Sequence, residues 1–263
     1  MENDVDEPLV LRTDRDHVAT LTLNRSQTRN ALSTSMLEAL ARRLADVDGD
    51  HDVHVVIMAV SPPAFCAGHD LRELRATEDV GFRRRLFASC SEVMLQLTGL
   101  RQPVIAQVGG MATAAGCQLV ASCDLAVAGE SARFATPGVN IGLFCSTPMV
   151  ALTRTVAPKH ALELLLTGDA IDAAEAFRIG LINRVVPDGE LEAATEALAA
   201  RIAAKSPSTV AIGKAAYRRQ RDLSPVEAYE HTAAVMVDNL ATADAAEGIG
   251  AFLEKRTPTW TGT

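Results

Sequence analysis

Two stretches of small residues hold the groups best placed to do chemistry. One is Phe65-Cys66-Ala67-Gly68-His69-Asp70-Leu71, and the other runs from Gly109 and Gly110 through Ala114, Ala115 and Gly116 to Gln118. Each follows an apolar run and leads into a helical pattern. Each therefore aims backbone N–H groups of a helix start at whatever lies in front of it. Two such donors converging on one oxygen make an oxyanion hole, which stabilises negative charge that develops during acyl chemistry. His69 adds an imidazole that can donate, act as a base or simply pack.

The elements that must position these turns are legible around them. His17 to Leu23 alternates and reads as a strand, and Val53 to Val60 is an apolar run typical of a strand covered on both faces. Val104 to Val108 and Leu125 to Ala128 read as further strands. Ser33 to Val47 predicts a helix, capped by Ser33 or Ser35, with Met36, Leu37, Leu40, Leu44 and Val47 as its apolar stripe. Phe82 to Leu97 predicts another, with Leu86, Cys90, Val93 and Leu97 on one side. Gln118 to Asp124 reads as a buried helix running to a structural aspartate. From about Leu191 alanine is dense, helical periodicity takes over, and Pro207 and Pro225 punctuate the helices. The division is an α/β core over 1–190 and a helical region over 191–263.

Composition excludes several classes. The 263 residues carry a net charge of −8, which argues against nucleic acid as a partner. No apolar run approaches the roughly 18 residues of a membrane span. The acidic start, Met1 to Glu7, reads as a frayed tail with no signal peptide. Five cysteines without a C-x-x-C pair suggest reduced, buried thiols, and the expected location is cytoplasmic. His51 and His54 flank Asp52, a cluster better read as solvated surface than as a metal site, so no metal is expected. Arg83-Arg84-Arg85 reads as a solvated helix face, with phosphate contact the other option.

Across nearly the whole chain these motifs resemble the crotonase superfamily, which includes enoyl-CoA hydratases and isomerases. The resemblance implies an α/β fold, a crotonase-like spiral of ββα units with a C-terminal helical trimerisation region. It implies an acyl-CoA thioester as partner, a homotrimer or dimer of trimers, and no cofactor beyond the coenzyme A of the substrate. By motif position the N–H groups of His69 and Ala115 hold the thioester oxygen. Arg25, Arg29 and Ala31 line the coenzyme A groove. Ala67, Gly68, Leu71 and Arg72 line the acyl-CoA path, and Phe252 and Lys255 reach the adenine and phosphate end, commonly from a neighbouring subunit.

The sequence departs from the family at the carboxylates that hold and deprotonate water in a hydratase. Those positions fall on Gln118 and Gly138. General acid–base groups are each worth roughly 10²–10⁴-fold, so simple hydration should be very slow and restoring glutamate at both positions should raise it. Thr136, Pro137, Val139 and Asn140 resemble instead the decarboxylase branch, as in methylmalonyl-CoA decarboxylase, whose catalytic tyrosine would fall near Cys145. The alternatives are thus an acyl-CoA decarboxylase or a non-catalytic acyl-CoA-binding protein. The candidate catalytic set is His69, Ala115, Gln118, Asn140 and Cys145.

Overall fold

The computed structural model describes residues 7–263; the expected tail, apart from Glu7, lies outside the described residues. The strands are β1 (Val10–Arg15), β2 (Val18–Leu23), β3 (Val55–Val60), β4 (Val104–Val108), β5 (Met111–Thr113), β6 (Leu125–Gly129), β7 (Arg133–Ala135), β8 (Ile171–Asp172) and β9 (Arg184–Val186). The larger sheet has the order β1-β2-β3-β4-β6-β9. Its β1–β2 hairpin is antiparallel and every later pair is parallel. A smaller sheet has the order β5-β7-β8.

The unbroken apolar runs have a simple cause. Alternate residues of a strand face opposite sides, and both sides of the central strands are covered. Val56 and Met58 of β3 enter the main core with Val104, Ala106 and Val108 of β4, while Val55, Ile57 and Ala59 join Ile105 and Val127 in a second cluster. Helix α1 (Thr34–Asp48) covers the first face with the predicted stripe; Ser33 caps it by accepting the Met36 N–H at 3.2 Å. Helices α2 (Leu71–Arg75), α3 (Val80–Gly99) and α4 (Ala115–Ser122) follow. Helices α5 (Pro148–Thr155), α6 (Pro158–Thr167) and α7 (Ala173–Arg178) come next, and α8 (Leu191–Ala203) closes the second face with Leu191, Leu198 and Ala199.

The expected strands and helices are present with small changes at their ends. β1, β5 and β7 to β9 have no counterpart in the reading of the sequence. Four of them are three residues or fewer, too short for alternation to show. Pro207 and Pro225 each begin a helix, α9 (Pro207–Gln220) and α10 (Pro225–Leu240), before α11 (Ala243–Glu254). α9 and α10 bury no residue, and Tyr229, Val237 and Phe252 on α10 and α11 are 79%, 67% and 82% exposed.

One carboxylate ties α9 to the sheet. Asp124 accepts the Val104 N–H at 2.8 Å and pairs with Lys214 at 2.7 Å and Arg218 at 2.6 Å. The aspartate is thus the turn partner expected from sequence. Burial pushes the Lys214 ammonium below its usual range, although Asp124 opposes the shift. Removing one partner of a buried pair strands the other charge, at a cost of about 3–5 kcal/mol. Asp124→Ala should lose stability on that scale in urea unfolding, with α9 detaching first in hydrogen exchange. A loss below about 1 kcal/mol would show the pair to be ornamental.

Candidate active site

Three chain segments meet at the two small-residue turns, and main-chain hydrogen bonds join them. Cys66 N–H donates to Met111 O at 3.1 Å, and Thr113 N–H donates back to Cys66 O at 2.9 Å. On the other side Ala67 N–H reaches Arg29 O at 3.0 Å, and Leu32 N–H reaches Gly68 O at 2.8 Å. Ala114 N–H continues the chain of contacts to Ala135 O at 2.9 Å. The arrangement leaves the His69 and Ala115 N–H groups without an acceptor among the described residues. Ala115 N lies 3.4 Å from the point where a Cβ on Gly68 would stand, so the two turns are in contact beside the His69 amide.

Close approach explains the small residues. A Cβ on Gly116 would lie 2.2 Å from Cys66 O, and Gly68 has φ +83°. The conformational cost falls on Ala114, with φ 51° and ψ −115°, rather than on Ala115, which is already helical. Such a backbone costs a non-glycine residue on the order of 1–3 kcal/mol. α4 starts directly after it, so its first N–H groups point out of the turn with the positive end of the helix dipole behind them.

The His69 ring sits between the loop before α1 and Phe87 of α3. Its Nδ1 is 3.3 Å from Leu32 O, and since a carbonyl only accepts, Nδ1 carries the proton. Nε2 is buried with no partner among the described residues, and Phe87 meets the ring edge-on at 5.0 Å. Burial holds the imidazole below the ordinary histidine range, with the Leu32 carbonyl and Glu73 opposing the shift. It is therefore a neutral imidazole with a free lone pair.

The other expected catalytic residues divide. Gln118 is 4% exposed on α4, and its Oε1 has no hydrogen bond among the described residues. Gly138 is buried, and a Cβ there would stand 2.7 Å from Leu143 O and 2.9 Å from Cys145 Sγ. Cys145 thus fills the space a side chain at 138 would need. Its thiol is pushed up by burial, which disfavours the thiolate that a nucleophile requires. Asn140 is exposed and its Nδ2 lies against Gly168 at the end of α6.

Of the coenzyme A candidates, Arg29, Ala67, Leu71 and Arg72 are exposed, while Ala31 and Gly68 are buried in the ladder. Arg25 is turned inward: its guanidinium donates to Ser33 Oγ at 3.0 Å and stands 3.8 Å from Asp70, so the loop offers one outward arginine instead of two. Asp70 in turn caps α2 by accepting the Arg72 N–H at 3.0 Å. Phe252 is exposed near the end of α11, and Lys255 ends that helix in a left-handed turn with φ 58°. His54 stacks on His17 at 4.3 Å, and no group of three or more possible metal ligands occurs among the described residues.

Asn30 was not singled out from the sequence, yet it pins the loop. It is fully buried, donates to Ser61 O and Ala64 O at 2.8 Å each, and accepts the Arg25 N–H at 3.0 Å. Its φ of 53° is a signal that sequence offers only faintly, since asparagine tolerates this region better than most residues.

The profile of the enoyl-CoA hydratase/isomerase family matches residues 13–263, and the chain belongs to that family. It is similar to the mitochondrial enoyl-CoA hydratase domain-containing protein 3 of Danio rerio, 47% identical over 97% of this chain and 88% of the relative. The crystal structure of an enoyl-CoA hydratase from Mycobacterium smegmatis superposes with a TM-score of 0.94 at 50% identity, covering 97% of this chain and 99% of that one. Human enoyl-CoA hydratase domain-containing protein 3 gives 0.93 at 46%, covering 96% and 100%. The crotonase fold and family expected from sequence therefore hold. The cytoplasmic expectation does not: the Danio rerio and Mus musculus relatives are named as mitochondrial proteins. Free thiols and an acidic balance do not separate one reducing compartment from another.

Two outcomes follow from this geometry. Asn30→Ala leaves two carbonyls and an N–H unpaired and places alanine at positive φ. It should cost about 2–4 kcal/mol in chemical unfolding, and a cost under 0.5 kcal/mol would contradict the pinning role. For His69 the folded state binds the proton less readily than the unfolded chain. Its contribution is constant above about pH 6.5, the ordinary histidine value, and stability is lost below it as the unfolded chain protonates first. His69→Asn, which keeps a donor toward Leu32, should flatten the melting temperature between pH 7 and 5 relative to wild type.

Proposed function

We propose that the protein binds acyl-CoA thioesters and stabilises their enolates, working as a homotrimer or dimer of trimers. The observation that carries this reading is the pair of unsatisfied N–H groups, of His69 and Ala115, on two turns in contact. A thioester oxygen accepting both would be held where negative charge grows on it, and each donor is worth roughly 10²–10³ in rate. Arg29, Phe252 and Lys255 are exposed and available to the nucleotide end of coenzyme A. The exposed apolar side chains of α10 and α11 support assembly of subunits through the helical region. The chemistry asks for no cofactor beyond the substrate's own coenzyme A.

Hydration is not the favoured reaction. Gln118 moves no proton, and Gly138 has no side chain. The expectation that glutamates at both positions would restore hydration needs correcting, because 138 has no room beside Leu143 O and Cys145 Sγ. Gln118→Glu alone is the cleaner gain-of-function variant. A second reading, loss of CO₂ from a malonyl-type thioester, draws on the same lack of a base, since departure of CO₂ forms the enolate directly.

Calorimetric titration with acetyl-CoA and butyryl-CoA should give dissociation constants of about 1 μM–1 mM, the usual range of substrate constants. No heat with either at millimolar concentration would remove the reading. Crotonyl-CoA hydration should fall about 10⁴-fold or more below the usual turnover of 1–10³ s⁻¹. Ordinary hydratase turnover by the wild type would overturn the account of Gln118 and Gly138.

A further inference from the structure

A cavity beside α4 is lined by two residues with buried, unpartnered polar atoms. It has a volume of about 530 Å³ and lies between α3, α4, α5 and α9. Gln118 opens it on the α4 side, three residues and about 4.5 Å of helix rise beyond the Ala115 N–H. Gln118 Oε1 and, on α9, Arg218 Nε are buried without a hydrogen bond among the described residues. Buried polar atoms are nearly always paired, so two lining residues that each carry an orphan mark a place where a polar group of a ligand can be met by a turn of the side chain.

The remaining lining says what kind of group. Met94, Leu95 and Val150 supply apolar surface suited to methylenes. Arg154 and Arg221 join Arg218 in the wall against a single acid, Asp222. Arg218 spends its NH2 group on Asp124, but Arg154 and Arg221 donate to the Val150 and Arg154 carbonyls and to no carboxylate among the described residues. The cavity thus carries an excess of guanidinium donors. A methyl-ended acyl chain would leave the Arg218 Nε–H and the Gln118 carboxamide unsatisfied. A carboxylate accepts several N–H groups at once and fits the guanidinium fork, and a half-turn of the carboxamide presents its own N–H.

We propose that this cavity is the acyl subsite for thioesters whose acyl chain ends in a carboxylate. The proposal rests on the acyl-CoA reading above and adds the substrate class. Gln118 then serves as a positioning donor for the acyl group and not as a vestige of a catalytic acid.

The test compares matched pairs of thioesters on the full chain by calorimetry: glutaryl-CoA against pentanoyl-CoA and adipoyl-CoA against hexanoyl-CoA. The members of each pair share a chain length and differ by carboxylate against methyl. The carboxylate member should bind at least tenfold more tightly in at least one pair. The double variant Arg154→Gln with Arg221→Gln should bring that ratio within twofold, while Arg178→Gln, outside the cavity, keeps it. Circular dichroism checks that each variant is folded, and Arg218→Lys, which retains charge but loses the Nε donor, should also lower the ratio. Equal or tighter binding of the uncharged member in both pairs would overturn the substrate class while leaving acyl-CoA binding intact. No binding of any of the four, nor of free coenzyme A, would overturn the acyl-CoA reading and this one with it.

Discussion

The main-chain ladder that joins the strand end at Cys66 to the start of the second turn is the constraint on which the rest depends. The Cys66 and Thr113 hydrogen bonds set the register between two turns that are 47 residues apart in sequence. The Leu32–Gly68 and Ala67–Arg29 bonds add the loop before α1 as a third rail. The ladder uses neither the His69 N–H nor the Ala115 N–H. These two donors belong to the backbone, so they ask for no particular side chain at His69 or Ala115. Glutamine at 118 and glycine at 138 therefore leave the ladder and these two N–H groups unchanged.

The ladder also dictates composition. Close approach of the turns leaves no space at Gly116, where a Cβ would lie 2.2 Å from Cys66 O. Gly110 is similarly confined, with a Cβ 2.5 Å from Pro63 O. Ala114 absorbs the backbone strain that lets α4 begin at Ala115. The buried alternation of β3, β4 and β6 holds the frame stiff behind the turns, because each of these strands is packed on both faces. Asp124 then fixes α9 against the same frame and brings Arg218 to the wall of the Gln118 cavity.

Sequence revealed the parts of the molecule that repeat and hid the parts that depend on a single distant contact. The α1 stripe and the covered strands follow from periodicity, so their ends differ by only a few residues. The two turns follow from small residues set between an apolar run and a helix. The inward turn of Arg25 was not legible, because its partners Ser33 and Asp70 are 8 and 45 residues away with no local signature. The role of Asn30 was hidden for the same reason: its acceptors, Ser61 and Ala64, lie on the next strand–turn unit. Gly138 read as a missing carboxylate, and only the positions of Leu143 O and Cys145 Sγ show that the site has closed over it. Compartment was beyond reach of composition altogether.

The central claim is that two backbone N–H groups polarise a thioester carbonyl. Infrared difference spectroscopy of a bound acyl-CoA carrying ¹³C at the carbonyl reads that polarisation directly. Two donors on one oxygen weaken the C=O bond, so the stretch should move to lower frequency on binding and form a narrow band, because the carbonyl is held in one orientation. A bound thioester whose carbonyl keeps its frequency and width in water would show that the His69 and Ala115 N–H groups do not act on it, and would contradict the account.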